Sequence, residues 1–251
     1  MITRTTAVEA IPVLGHDEAM RLAEAEYERL LTVTDELRED EWSRQTDCTD
    51  WDVRALLAHV LGMLELQSDA DERMRQIKTA GEIAAKTGCL RLDAMTALQV
   101  SEHANLAPDE LRRALHDVAP RGLAARRATS AEQRAATYVP GLPGEAEWTF
   151  GYLFDVIHTR DPWIHRIDVS RAIRREVALS PDHDGRIVAD VVADWARRHG
   201  QPFALTLTGP AGGSFTAAAG GEELQLDAVE FCRVLSGRQS GAGLLATTVP
   251  F

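Results

Sequence analysis

The first third of the chain carries two apolar stripes at alternating steps of three and four residues, which is the spacing of one face of an α-helix. The stripes consist of Met20, Ala23, Tyr27, Leu30, Thr34 and Leu37, followed by Val53, Leu56, Leu57, Val60 and Leu64. They predict helices over about 17–38 and 51–67, with Asp50 as the N-terminal cap of the second. Helices with one apolar face bury that face against other elements, so the pattern favours a bundle.

Further helical segments are expected over about 69–87 and 90–105, separated near Gly88, and from about 107 until Pro120 or Gly122. A loop with two proline–glycine steps then covers about 130–146, and helical segments follow at about 147–158 and 160–176. Together these segments predict a helical bundle over residues 1–178, with residues 1–15 as its N-terminal arm.

The pattern changes after Ser180-Pro181. One helix is predicted over about 182–199, and three short runs of β type follow at about 203–208, 214–218 and 223–226, separated by glycine-rich turns. A last helix is expected over about 227–235. The sequence therefore predicts an α+β fold, with the helical bundle followed by a small α/β domain over residues 179–251.

Charge and composition exclude several classes of partner. The chain has 251 residues and a net charge of −12, whereas a nucleic-acid or anionic-membrane partner requires a basic face. No apolar stretch approaches the roughly 20 residues of a membrane span. The first 16 residues lack the pattern of a secretion signal. We therefore expect a cytoplasmic protein with no nucleic-acid and no membrane partner.

The cysteines and basic residues add two smaller observations. Cys48, Cys89 and Cys232 are far apart and form no CxxC pair, so no cysteine zinc motif or redox motif is indicated, and small buried thiols are expected. Among the 27 basic residues only Lys78 and Lys86 are lysines, a bias that GC-rich codons produce.

His59 borders the apolar stripe of the second helix, so its imidazole is expected to face the bundle interior. A buried polar group without a partner costs about 1–3 kcal/mol. The ring therefore needs either a hydrogen-bond partner, as a core histidine, or a metal ion.

The segment TRDPWIHRID, residues 159–168, places Asp161 and His165 four residues apart. On a helix this spacing puts both side chains on one face, with Cβ atoms about 5–6 Å apart, so both can reach a common ion. Thr159 is predicted to cap this helix with Pro162 in its first turn, and Asp168 is placed to orient a ligand from outside the coordination sphere. The alternative is an Asp–His pair at the surface.

His59, Asp161 and His165 together would make an open site of two histidines and one carboxylate on two helices. Catalytic zinc uses such a set and keeps a further position for water or substrate. Non-haem iron uses the same ligand types, so the spacing does not choose between the two metals.

Three stretches carry a family resemblance: residues 39–62 with EDEW, CTDW and His59, residues 159–173 with TRDPWIHRIDVSRAI, and the C-terminal run from ALTLTGPAGGSF to VLSGR. They resemble the mycothiol-dependent maleylpyruvate isomerase family, a member of the DinB-like metalloenzyme superfamily. The resemblance covers nearly the whole chain. It implies a DinB-like antiparallel four-helix bundle joined to a small α/β domain.

The resemblance also implies site residues. The family's metal-binding histidine of the second helix falls on His59, and its carboxylate–histidine pair falls on Asp161 and His165. The usual carboxylate is Glu, and this chain has Asp. A functional arginine of the C-terminal domain falls on Arg238, at the Gly237-Arg238 step, as a candidate for binding an anionic group. The alternative for Arg238 is a surface arginine beside a glycine turn.

The activity implied by the resemblance is that of an enzyme with Zn²⁺ or another divalent metal, and with mycothiol as thiol cosubstrate. A metal-bound thiolate would attack an electrophilic small molecule, in an isomerase or a thiol S-transferase. Mycothiol is the low-molecular-weight thiol of actinobacteria, and an arginine-rich composition suits such a source. The alternatives are a DinB-like metal-dependent hydrolase using metal-bound water and a non-catalytic small-molecule-binding protein. The sequence identifies neither the electrophile nor the oligomeric state.

Overall fold

The computed structural model describes residues 5–251, which divide into two compact units. The helices are α1 (His16–Asp35), α2 (Val53–Ser68), α3 (Ala70–Thr87), α4 (Arg91–His103), α5 (Pro108–Arg127), α6 (Ala131–Ala135), α7 (His158–Ala172), α8 (Arg186–His199) and α9 (Ala228–Leu235). The strands are β1 (Thr5–Ala7), β2 (Thr137–Tyr138), β3 (Trp148–Thr149), β4 (Phe203–Thr208), β5 (Gly213–Ala217) and β6 (Glu222–Asp227).

The larger unit, His16–Glu176, is built around a bundle of α1, α2, α5 and α7. Helix α2 packs on α5 and α7, and α1 packs on α5 and α7. The stripe residues predicted for α1 and α2 are buried, as a helix with one apolar face requires. The bundle and the predicted α+β class are therefore confirmed.

The start of α2 differs from the prediction. The helix begins at Val53, and its cap is Asp52, whose Oδ1 accepts from the Ala55 N–H at 2.8 Å. Asp50 does not cap it, because the preceding residues form a small loop closed by a Gln45–Asp52 bridge and a Thr46 N–H bond to the Trp51 carbonyl at 3.2 Å. That loop keeps Trp51 out of the helix.

Helix α5 runs past both predicted stops and ends at Arg127. Pro120 lies on its exposed face, so the ring meets solvent, and only one backbone hydrogen bond is lost there. Leu123, beyond the proline, is buried along with Leu111, Leu115 and Val118. Burying a leucine contributes about 1.5–3 kcal/mol, so the apolar face outweighs the local proline cost of about 3 kcal/mol.

The two helical segments predicted around residue 159 are continuous, so Thr159 is not a cap. A π-helical segment, Tyr152–Ile157, leads directly into α7, which contains both Thr159 and Pro162. Because Pro162 has no N–H, the carbonyl of His158 four residues earlier lacks its helical donor. The Arg126 Nη1 atom donates to that carbonyl at 3.0 Å, which explains how a proline is tolerated inside a buried helix.

Helices α3 and α4 form a second layer against α2. Their approach is close at Gly62, where an added Cβ would lie 2.6 Å from the Cβ of Gln99. Gly88 ends α3 with φ of 78°, a left-handed conformation that favours glycine. The predicted break between these helices is therefore confirmed.

The other unit comprises Val177–Phe251 together with the described N-terminal residues 5–15. Its sheet has the strand order β1-β5-β4-β6, in which β4 and β5 are antiparallel and the outer pairs are parallel. Alternate residues of β4, Phe203, Leu205 and Leu207, are buried. Trp195 of α8 contacts Phe203 and Phe231, with ring centroids 4.8 and 5.3 Å away.

The N-terminal residues are a correction to the predicted domain bounds. Thr5, Thr6 and Ala7 pair in register with Ser214, Phe215 and Thr216 of β5, so they belong to the sheet and not to the bundle. A three-residue strand has no periodicity of its own, and its parallel partner lies two hundred residues away. Among the described residues, no helix combines the length and apolarity needed to cross a membrane.

Candidate metal centre

Two neighbouring helices bring the three predicted ligands together. His59 on α2 and Asp161 and His165 on α7 converge inside the bundle. The Asp161 Oδ1 atom lies 3.5 Å from His59 Nε2 and 3.3 Å from His165 Nε2. Both rings are buried, and their centroids are 5.1 Å apart in an edge-on arrangement.

These separations suit a metal ion. Two ligand atoms that each lie about 2.1 Å from a tetrahedral zinc ion are about 3.4 Å apart. The observed spacings of 3.5 and 3.3 Å agree with that edge length. The shorter aspartate thus reaches both ring nitrogens, and its other oxygen, Oδ2, is buried without a hydrogen-bond partner. The residues therefore fit a divalent cation with an open coordination position.

The orientation of His59 is set by a glutamine. His59 Nδ1 lies 2.8 Å from Gln99 Oε1, and Gln99 Nε2 donates to Gln76 Oε1 at 2.9 Å. Gln99 thus presents an acceptor to the ring, so Nδ1 carries the proton and Nε2 keeps its lone pair for a metal.

The orientation of His165 is set by a carboxylate. Its Nδ1 atom lies 3.1 Å from Oδ2 of Asp168, which is fully buried. A carboxylate holds the proton on Nδ1 and raises the basicity of Nε2, the arrangement common for metal-ligating histidines. The geometry matches the orienting role that we predicted for Asp168.

The electrostatics of the three residues are strongly coupled. Burial acts to raise the pKa of Asp161, but the charge and hydrogen bond of His165, with a smaller contribution from His59, hold it well below its usual range. Burial acts to lower the pKa of His165, but Asp161 and Asp168 hold it well above its usual range. The cluster therefore favours a positive charge on its histidine side, a charge that a cation would replace.

Trp51 and Cys48 lie beside these histidines and Asp168. The Trp51 ring lies 5.0 Å from the His59 ring and 6.3 Å from the His165 ring, so it packs against both histidines. Trp163 is fully buried in the core. The Cys48 Sγ atom lies 3.6 Å from Asp168 Oδ2, so Cys48, His165 and Asp168 form a second group of possible ligands.

The sequence prediction for the cysteines holds only for Cys232, which is buried; Cys48 is half-buried and Cys89 is exposed. The prediction also missed Gln76 and Gln99, because a buried amide has no characteristic spacing. Arg238 lies in the other unit, after α9, where its N–H donates to the Arg233 carbonyl at 2.9 Å and Gly237 has φ of 81°. Its role in binding an anion remains a prediction.

The fold and this cluster define a helical-bundle candidate metalloprotein with a separate small α/β unit. Residues 23–170 match the sequence model described as the mycothiol maleylpyruvate isomerase N-terminal domain. This match covers more than half of the chain, so the chain belongs to that family, as the sequence motifs predicted.

Two solved structures are similar in fold. A crystal structure of a histidine-to-alanine mutant of the mycothiol-dependent maleylpyruvate isomerase has a TM-score of 0.60 at 19% identity, covering 94% of this chain and 93% of that chain. A crystal structure of the mycothiol-dependent maleylpyruvate isomerase has a TM-score of 0.58 at 19% identity, covering 95% and 94%. No curated protein sequence matches the chain significantly.

Proposed function

We propose that this protein is a mycothiol-dependent metalloenzyme that directs the thiolate of mycothiol at an electrophilic small molecule, as an isomerase or a thiol S-transferase. The proposed cofactor is Zn²⁺ or another divalent metal. The supporting observation is the convergence of His59 Nε2, Asp161 Oδ1 and His165 Nε2 at separations of 3.3 to 3.5 Å around Asp161. Membership of the mycothiol maleylpyruvate isomerase family supports the choice of thiol.

Five side chains would share the work of holding the cation. His59, Asp161 and His165 would ligate it, while Gln99 and Asp168 keep the two rings in the required tautomer and orientation. A divalent cation held there would lower the pKa of a coordinated thiol, so that the thiol ionises at neutral pH without a protein base.

Ionisation alone would not account for an enzyme. A free thiol with a pKa of about 8.5 is a few per cent thiolate at pH 7, so full ionisation gains about 30-fold, or roughly 2 kcal/mol. Positioning of the two reactants must supply the rest. Arg238 is the proposed residue for this purpose, because a guanidinium binds a carboxylate with two parallel hydrogen bonds.

The electrophile decides the outcome of the attack. With a cis-alkene between carbonyl groups, the thiolate adds to one alkene carbon, the new single bond rotates, and elimination of the thiolate restores the alkene as its trans isomer. With an epoxide or a halide, the same attack forms a thioether and opens the ring or releases halide. The first outcome consumes no thiol, and the second consumes one thiol per product.

Metal content tests the first half of the proposal. We would measure it by plasma mass spectrometry on protein purified without a histidine tag, beside the variants His165→Ala and His116→Ala. His116 is an exposed histidine paired with Asp35, so its variant is the matched control. We expect about one metal ion per chain in the wild type and the control, and little in His165→Ala. Absence of metal after zinc is supplied would overturn the ligand assignment.

Turnover measurements test the second half of the proposal, which is the thiol-dependent reaction of an electrophile. Maleylpyruvate and simple epoxides would be offered with and without mycothiol, and loss of the electrophile would be followed. Consumption that needs both thiol and metal supports the proposal, whereas metal-dependent hydrolysis without thiol would favour a hydrolase. A cytoplasmic location and the absence of nucleic-acid and membrane partners stay predictions from charge and composition.

A further inference from the structure

A cavity of about 550 Å³ lies in the larger unit, and none of the three proposed metal ligands lines it. Its walls come from the C-terminal ends of α2 and α5, the first turns of α3 and the π-helical segment before α7. Two arginines and two phenylalanines, Arg73, Arg126, Phe150 and Phe154, are among its lining residues. We call it the arginine cavity.

Arg126 is a buried cation with only neutral partners. Its side chain is 2% exposed, and its Nη atoms donate to the Tyr27 hydroxyl at 2.8 Å, the His158 carbonyl at 3.0 Å and the Thr159 hydroxyl at 2.8 Å. Its Nε atom is buried without a partner. These bonds fix the guanidinium in place, but they do not balance its charge, and an uncompensated buried charge is strongly destabilising.

Arg73, on α3, also lines the cavity and is without an acidic partner. Its Nη1 atom donates to the Leu66 carbonyl at 3.3 Å, and its guanidinium stands 5.8 Å from the centroid of the Phe154 ring. Among the described residues, no carboxylate lies within ion-pair distance of Arg73 or Arg126. The chain has 39 acidic residues and 27 basic ones, so two such arginines in one cavity are unusual.

The positive charges of Arg126 and Arg73 both lower the pKa of a nearby side chain, that of His158. His158, whose ring lies 5.7 Å from that of Phe154, has its pKa lowered to about 3 by burial and by the charges of Arg126 and Arg73. The charge of Asp161 raises the pKa of His158 and so opposes this lowering. The Asp161 carboxylate, however, lies against His59 and His165. The neutral His158 ring therefore adds no counter-charge, and the cavity is left with a net positive wall.

We propose that the arginine cavity binds a small organic carboxylate with a planar apolar body. The carboxylate would take its place between Arg73 and Arg126, where a charge-assisted hydrogen bond is favoured by the low dielectric of a buried site. The planar body would pack against Phe150 and Phe154, which present aromatic surface to the cavity. The proposed site uses none of the three proposed metal ligands, which are not among the residues that line the cavity.

Benzoate is the probe that tests this proposal, with benzamide as its uncharged counterpart. Binding to metal-depleted protein would be measured by calorimetry, and located by amide shifts in ¹⁵N-labelled protein. We expect saturable binding of benzoate, with shifts at Ser68, Ala128 and Thr129 on the cavity wall. Benzamide should bind about tenfold more weakly or worse, because it cannot make the charge-assisted bond.

The variant Arg73→Gln separates this site from general charge effects. Arg73 is half-buried, so the protein should fold without it, whereas Arg126 also holds the His158 carbonyl. We expect Arg73→Gln to weaken benzoate binding about tenfold, and Lys78→Gln, an exposed charge on the same helix, to leave it unchanged.

The outcomes are decisive in either direction. No saturable benzoate binding, equal affinity for benzamide, shifts confined to other residues, or an unchanged affinity in Arg73→Gln would each overturn the proposal. Because the benzoate assay uses metal-depleted protein, a negative result in it does not contradict the proposed metal chemistry. Likewise, absence of metal in the metal assay does not contradict the proposed carboxylate site.

Discussion

His59 Nδ1 lies 2.8 Å from Gln99 Oε1, although the two residues belong to different layers of the larger unit, α2 and α4. Gln76 of α3 extends the contact, since it accepts from Gln99 Nε2 at 2.9 Å and donates to the Gly62 carbonyl of α2 at 3.0 Å. The tautomer of a proposed metal ligand is thus set by helices outside the four-helix bundle. The outer layer therefore orients the His59 ring in addition to packing on α2.

Replacing Gln99 with leucine should weaken metal binding and leave the fold in place. Leucine is close in volume to glutamine but offers no acceptor to His59 Nδ1, so the ring can rotate or change tautomer. Loss of such a partner typically lowers metal affinity about 10- to 100-fold. Zinc affinity would be measured by chelator competition, with Gln201→Leu, an exposed glutamine, as control. Equal affinity in Gln99→Leu and wild type would show that Gln99 does not orient the ligand.

Replacing Gly62 with alanine should destabilise the protein and disturb the same contact. The new Cβ would lie 2.6 Å from the Cβ and Cγ atoms of Gln99, so α4 must shift. Overpacking of this kind costs about 1–3 kcal/mol in the free energy of unfolding. Urea denaturation would measure the loss. Gly15→Ala is the control, because an added Cβ there meets nothing within 4 Å; equal stability of the two variants would contradict the close packing.

Stability should fall in mild acid because of His158. Burial, aided by Arg126 and Arg73, lowers the pKa of His158 to about 3 in the folded protein, against 6.5 for an ordinary histidine. The unfolded state therefore binds the proton first, and this contribution to stability is lost as the pH falls from about 6.5 towards 3.

The variant His158→Phe isolates this effect. Denaturation of metal-depleted protein at several pH values should show wild type losing about 2 kcal/mol more than the variant between pH 7 and pH 5. A pH dependence that is the same in both proteins would mean that His158 is solvated or charged in the folded state.

Replacing Arg238 with alanine tests its proposed binding role. Metal content should be unchanged, since the predicted ligands are His59, Asp161 and His165. The KM for a carboxylate-bearing electrophile or for the thiol should rise about tenfold, the typical loss for one charge-assisted bond. Arg238→Lys should recover part of it, because the charge remains while the two-pronged geometry does not. Unchanged kinetics in Arg238→Ala would show that Arg238 binds neither reactant and is a surface arginine.

Neighbouring residues were sufficient to predict most helices and the main strands. The stripes of α1 and α2, the break at Gly88 and the strand Phe203–Thr208 all depend on spacings of two to four residues, which a local pattern records. The closeness of Asp161 and His165 was predictable for the same reason, since both lie on one face of one helix.

The tolerated prolines, the N-terminal strand and the long-range side-chain contacts were decided only by the tertiary structure. Pro120 and Pro162 are tolerated inside helices because a buried face in one case and Arg126 in the other offset the lost hydrogen bond. Residues 5–7 form a strand because β5 supplies the partner. Gln76 and Gln99 connect to His59, Cys48 contacts Asp168, and Arg73 and Arg126 share a cavity, all through contacts between distant segments. Such contacts depend on how helices pack, and no local spacing encodes them, because hydrogen bonds and charges act through space and not along the chain.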